Sequence, residues 1–416
     1  MMWRRVLVVT TALAALGVPA ALLLPQLFGG DGQPDRAADA EVLAVELGAW
    51  ETPLRSCLQQ SDQPGSATPC VRELVHQATD EGDYGAALAA LRVAVEEEPD
   101  MVGRCHNETH LVGEEAVASG FTLQQVYEVP FADCRFGFYH GGLATHTEEL
   151  DLEQLSSELG GLCDYFGGAD SEAAQECVHV LGHFVYDRTD DDVAQAMQVC
   201  ELYPDGELAA RCVDGVLMQA TDLVRSTISD DGQEQPFDQQ RAAAIWGDSR
   251  EQQQATLLDT CASLDIEYVA YVCYTNVPQT AFVLWDGDRQ AVAESCLKVE
   301  EKTFKRACFE GVAASALGSI GWDPQEIAAS CHAIDHEFSR YCMKSMAFSF
   351  GLQDTPERAA RVCELAMDHE LDDCQRGLQR GQDARAQLER DTGSAPPPPP
   401  EGAPADQGSD YDLYSQ

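Results

Sequence analysis

Ten histidines lie along a chain of 416 residues, and they are unevenly spread. Six fall between residues 106 and 183, and there are three His-x-x-x-His pairs: His106/His110, His179/His183 and His332/His336. On a helix, residues four apart share a face, as two ligands of one metal ion must. A second regularity appears when positions are counted from the cysteines. His76, His140 and His183 stand six residues after Cys70, Cys134 and Cys177. Equivalent positions on neighbouring helices can meet across the roughly 8–10 Å between packed helix axes. The spacing therefore predicts that His110, His140, His179 and His183 converge, with His106 the substitute if its helix is rotated. Such a group would bind a transition metal, and zinc, copper and iron all accept imidazole. Only neutral imidazole is a ligand, so affinity is expected to fall as pH drops through about 6.5. The alternative is that these rings are packing residues hydrogen-bonded to carbonyls.

Other chemistry finds little support. The residues after His106 and His179 are Asn107 and Val180, so the His-Glu-x-x-His protease pattern is missing. No Cys-x-x-Cys-His tract offers covalent haem attachment, and no Ser-His-Asp arrangement is identifiable. Gly141-Gly142 and Gly160-Gly161 lack the Gly-Lys-Ser/Thr that completes a phosphate loop. Asp190-Asp191-Asp192 suits a helix N-terminus better than a calcium loop. No catalytic residue is assigned, and metal-dependent catalysis is a subset of the metal-binding reading.

The elements that must position the histidines are legible from the 16 cysteines. Taken consecutively they pair as 57/70, 105/134, 163/177, 200/212, 261/273, 296/308, 331/342 and 363/374. Seven of the eight separations are 11–14 residues, and the first members from Cys261 onward recur at 35, 35 and 32 residues. That period is the length of a two-helix repeat. Asp323-Pro324-Gln325-Glu326 and Thr355-Pro356-Glu357 read as helix starts. Gly137, Gly215, Gly311 and Gly377 each follow the second Cys of a pair by three residues. A glycine inside a helix costs about 1 kcal/mol relative to alanine, so its recurrence predicts close helix packing. In an antiparallel hairpin, a Cys late in the first helix faces one early in the second. Eight local bridges in chain order are expected, each contributing roughly 3 kcal/mol by restricting the unfolded chain.

This pattern resembles the tetratricopeptide and Sel1-like repeats, particularly the exported cysteine-rich Sel1-like kind. The resemblance covers about Cys57 to Gly381 and rests on repeat length, Ala/Gly-rich helix pairs and a Cys in each helix. The chain lacks the Trp-Leu-Gly-Tyr signature of tetratricopeptides, and its cysteines are spaced more widely than those of Sel1-like repeats. The resemblance implies an all-α solenoid of αα-hairpins with a concave face, of the sort that binds proteins or peptides. Two stretches depart from the period. Ser226 to Gln235 reads as a polar loop before a lengthened helix, Phe237 to Leu258, and the 105/134 pair encloses 28 residues.

The chain divides into an N-terminal segment (1–30), a linker (31–50), the repeat region (51–382) and a Pro-rich acidic tail (383–416). The linker is expected to become helical near Glu41. In the tail, Pro396 to Pro400 form a short polyproline spacer. Val6 to Phe28 carries no charge over 23 residues, with Arg4 and Arg5 before it and Asp31 and Asp35 after it. It is long enough to cross a hydrocarbon core of about 30 Å with the body outside. A cleaved signal peptide with Val18-Pro19-Ala20 at its processing site is the alternative. Both readings export the body, where cysteines pair.

With 71 acidic and 26 basic residues the net charge is −45, which repels nucleic acid and anionic lipid headgroups. The expected function is a cell-surface scaffold for a protein, peptide or envelope component. Its alternative is a metal-binding protein using His106, His110, His140, His179 and His183.

Overall fold

The computed structural model describes residues 44–392, with interruptions at 60–66, 98–100, 102–103, 130, 132–133, 135, 149, 170, 226, 229–233, 321–322, 335–336 and 355. The apolar N-terminal segment, Glu41, His336 and the tail beyond Thr392 lie outside the described residues, and the tail does not begin at 383, because the last helix runs from Leu371 to Thr392. Among the described residues no helix is long and apolar enough to cross a membrane.

The described residues are helical almost throughout. In order the helices are α1 (Glu51–Gln59), α2 (Thr68–Asp80), α3 (Tyr84–Glu97), α4 (Cys105–Ala118), α5 (Leu123–Glu128), α6 (Gly137–Glu148), α7 (Leu152–Leu162), α8 (Glu172–Asp187), α9 (Val193–Cys200) and α10 (Gly206–Asp222). A two-residue antiparallel ladder pairs Thr227 with Gln235 and Ile228 with Glu234. The helices continue as α11 (Gln239–Trp246), α12 (Arg250–Ala262), α13 (Glu267–Leu284), α14 (Arg289–Cys296), α15 (Lys302–Ile320), α16 (Pro324–His332), α17 (Ser339–Gln353), α18 (Pro356–Val362) and α19 (Leu371–Thr392).

From α7 onward shorter helices alternate with longer ones, except that α11 adds an extra short helix ahead of α12 and α13. All eight disulfides form in chain order with Cα separations of 5.4–5.8 Å, and no described cysteine is free. In the hairpins α9/α10 and α14/α15 the first Cys closes the short helix and the second lies within the long one. Local chemistry starts these helices. Asp192, Asp205, Asp288 and Asp323 each accept backbone N–H groups at an N-cap, and Pro324 occupies the first turn of α16.

The longer helices pack on one another, and glycine sets their separation. A Cβ on Gly137, Gly141, Gly182, Gly215, Gly311, Gly377 or Gly381 would fall within 3.0 Å of a carbonyl oxygen on the neighbouring long helix. The contacts ascend together on the two members of a pair: Gly137 meets the His106 carbonyl and Gly141 that of His110. The same holds for Gly377 at Lys344 and Gly381 at Phe348, so these long helices run parallel. The glycine spacing read from sequence is thus a run of backbone-to-backbone contacts, close enough for Cα–H···O interactions. Large apolar side chains fill the spaces beside them, with Phe138, Tyr186, Trp246, Phe309 and Phe350 fully buried.

One further expectation needs correction. Phe237 to Leu258 is not one helix: Gly247, at φ +109°, ends α11, and Ser249 forms a capping box with Gln252 that starts α12. The 105/134 bridge, as its longer enclosed loop suggested, is not a minimal hairpin staple. Cys105 opens α4 and Cys134 precedes α6, so it ties together the starts of two parallel helices, with α5 between them in sequence.

The packing generates a contrast between two helical glycines. Gly215→Ala should destabilise the protein by about 1–3 kcal/mol, because the methyl group must displace the His179 backbone. Gly160→Ala, where nothing lies within 4 Å, should be stabilising by up to about 1 kcal/mol. Urea unfolding with the disulfides intact measures both, and equal effects would refute the close-packing account.

Candidate metal centre

His106 and His110 occupy the first two turns of α4, on the face turned toward α6. Helical spacing puts the intervening Glu108 on another side, where its buried carboxylate pairs with Arg72 and, at 2.8 Å, with His76. His76 therefore leaves the group that its distance from Cys70 suggested. Across the seam, Gly137 and Gly141 bracket His140 on α6, and each lies against an α4 carbonyl. That close approach brings the His140 ring against His106 and His110.

The three rings converge. Centroids are 4.6 Å apart for His106 and His110, 5.3 Å for His106 and His140, and 5.5 Å for His110 and His140. One nitrogen from each ring lies within 4.8 Å of the others, the one such group of three among the described residues. The Nε2 atoms of His106 and His110 are 3.0 Å apart. Two ligands of a tetrahedral ion with bonds of about 2.0–2.1 Å would be separated by about 3.4 Å, so a small ring movement suffices.

The tautomer is favourable as well. His106 Nδ1 lies 3.0 Å from the Cys134 carbonyl, which only accepts, so Nδ1–H donates and Nε2 keeps its lone pair. His140 is 4% exposed, and neither of its ring nitrogens has a hydrogen-bond partner. An unsatisfied buried polar group costs about 1–3 kcal/mol, a cost that coordination would remove. Burial, reinforced by His106, lowers the His110 pKa from 6.5 to about 3. Burial and the four neighbouring imidazoles push His140 well below its ordinary value.

His179 and His183 form a second pair on α8, outside the close group of three. Their Nε2 atoms are 3.2 Å apart and their centroids 5.0 Å. His179 Nδ1 stands 3.0 Å from Asp214 Oδ2 on α10. Asp214 is itself fixed by Arg211 at 2.9 Å and by Asn276 at 2.8 Å. Sequence reasoning missed this carboxylate, although a signal was present: Asp214 and His179 both stand two residues after a second Cys. His332 pairs with the buried Glu370 at 3.1 Å and belongs to neither group. His146 is exposed.

Comparison of the chain with protein-family models, curated proteins and solved structures found no match.

Because His110 and His140 are held neutral, the expectation that metal affinity falls through about pH 6.5 moves to lower pH. Stability changes in the same range. Between about 6.5 and about 3 the unfolded chain takes up protons that folded His110 excludes, so stability is greatest above 6.5 and falls with pH. In metal-free protein the urea midpoint should drop from pH 7 to pH 5. His140→Phe should flatten that slope, whereas an unchanged slope would show that these rings titrate normally.

Proposed function

We propose that this is an exported helical-repeat protein that binds a transition metal through His106, His110 and His140. The observation carrying this reading is the buried His140, with two unpartnered nitrogens beside two imidazoles whose Nε2 atoms already face each other. A donor set of neutral imidazoles suits copper or zinc, while magnesium and calcium prefer oxygen. Iron fits less well because no carboxylate joins the three rings. An acidic body raises the local concentration of cations and favours their capture. The eight disulfides accord with an extracellular or secreted body. The solenoid arrangement and an N-terminal membrane anchor complete the proposal.

The test is metal analysis of purified, tag-free protein, followed by titration with Zn(II) and Cu(II). His140→Ala should weaken the tightest site more than about 100-fold, beyond the 10–100-fold typical of outer-shell residues. His332→Ala should leave it unchanged. Equal binding by wild type and by His106→Ala and His140→Ala variants would defeat the reading.

A second reading, a surface scaffold for a protein or peptide, is favoured by one observation. The exposed large apolar side chains Tyr165, Leu202, Tyr268, Leu297, Met367 and Leu371 all lie between the two cysteines of a bridge. They therefore lie at or beside the hairpin turns, with Tyr268 and Leu371 in the first turn of the following long helix. A photo-crosslinking residue at Leu202 or Leu297 should trap one defined partner on intact cells, and the same residue at Gly160 should not. Identical patterns from both positions would remove the scaffold reading.

A further inference from the structure

Independently of the metal site, we infer that the acidic segment 393–416 docks on a cationic, aromatic face formed by α15, α17 and α19 of the same chain. Docked there, the segment would cover that face against other anions.

The face is built from residues one helical turn apart. Arg340, Lys344 and Phe348 follow one another at intervals of four on α17 and so share one side of it. Arg306 and Glu310 share a side of α15 in the same way. The Arg306 and Arg340 guanidiniums both lie over the Tyr341 ring, 5.0 Å and 4.7 Å from its centroid. Arg340 also donates to the Tyr341 hydroxyl at 2.8 Å. Glu310 Oε1 is shared by Arg306 at 3.1 Å and Lys344 at 3.4 Å. α19 closes the row. Its Gly377 and Gly381 lie against the Lys344 and Phe348 carbonyls, and Arg380 stands 5.9 Å from the centre of the Phe348 ring.

The charges along this row do not balance. Arg306, Arg340, Lys344 and Arg380 meet one carboxylate, Glu310, which also accepts from the Tyr271 hydroxyl. Among the described residues neither Arg340 nor Arg380 has a carboxylate partner. The Arg340 Nε is buried without a hydrogen-bond partner. Such a cationic excess is out of place in a chain of net charge −45. Arg306, with 42% of its side chain exposed, and the exposed Arg380 leave the face open to an approaching anion.

Charge and reach select the occupant. The net charge of the chain repels a free acidic partner at long range. A tethered segment escapes that penalty, because its local concentration is set by the link, on the order of millimolar for short ones. Residues 393–416 contain no Lys or Arg, and their ionised side chains are Glu401, Asp406, Asp410 and Asp412. Asp410-Tyr411-Asp412-Leu413-Tyr414 alternates carboxylates with apolar groups. That alternation matches cations set over the rings of Tyr341 and Phe348. The segment also leaves from the helix that carries Arg380. Thr392 lies 12 residues beyond Arg380 (392 − 380), about 18 Å along α19. Asp410 lies 18 residues beyond Thr392 (410 − 392), and that length of chain spans at most about 60 Å, enough to return.

Carbodiimide coupling of dilute full-chain protein tests this, because the reagent joins a carboxylate to a lysine only where the two touch. The Lys344–Glu310 product reports that the face is folded. Lys344 joined to Asp410 or Asp412 of the same chain is the expected second product. It should disappear in about 1 M salt, where the screening length is about 3 Å. Arg380→Glu, at an exposed position, should reduce it about fivefold or more while the Lys344–Glu310 product persists. Formation of the Lys344–Glu310 product alone in wild type would overturn the docking. So would coupling of the segment to the exposed Lys298 as often as to Lys344. In a mixture of isotopically light and heavy protein, products joining two chains would assign the face to contact between copies and overturn it as well. Loss of the product in phosphate, but not in chloride of equal ionic strength, would assign the face to a free anion instead. The wild-type products decide the matter without any variant.

Discussion

The close contact of parallel long helices at glycine is the constraint on which the rest of the structure depends. At ordinary helix spacing a side chain occupies the gap between backbones. Here Gly137 and Gly141 lie directly against the carbonyls of His106 and His110, and a methyl group at either would collide with backbone. The cost of glycine in a helix, about 1 kcal/mol each, is offset by dispersion and Cα–H···O contact along the seam. The disulfides act on the same geometry from another direction. The Cys105–Cys134 bridge fixes the starts of α4 and α6 in parallel register, and the local staples elsewhere fix each short helix to the long one that follows.

Closely packed seams leave little room for water, so polar groups placed there must satisfy one another. The buried carboxylates show how this is done. Glu108 takes Arg72 and His76, and Asp214 takes Arg211, Asn276 and His179. The half-buried Glu310 takes Tyr271, Arg306 and Lys344, while the buried Glu370 takes His332 and the Met367 N–H. His140 departs from this pattern, since both its nitrogens are buried and unpartnered. A seam that provides for its carboxylates but leaves both nitrogens of one neutral imidazole bare has the form of a ligand-binding position. Holding the His110 ring neutral serves the same end, because a protonated imidazole cannot coordinate.

Much of this was legible in the residues. The pairing of the cysteines followed from their spacing, since bridges of 11–14 residues suit a two-helix turn and little else. The glycines three residues after a Cys announced close packing, and the His-x-x-x-His pairs announced shared helix faces. What periodicity could not supply was the phase of one helix against the next. His76 obeys the same count from its Cys as His140 and His183, yet turns to Glu108, because a buried carboxylate on α4 attracts it more strongly than the imidazoles do. The break at Gly247 was missed for a local reason: the polar run around it has helical composition, and the positive φ of one glycine ends the helix.

The sequence by itself determined the helical hairpins, their eight bridges, the acidic surface and the helical faces on which the histidines stand. These properties depend on residues near one another in the chain, where spacing translates directly into geometry. Only the tertiary structure decided which histidines meet. It joined His106 and His110 to His140, set His179 and His183 apart with Asp214, and sent His332 to Glu370. That choice depends on the rotation and separation of helices 30 or more residues apart. It is governed by where a glycine lets two backbones touch, which no local spacing encodes.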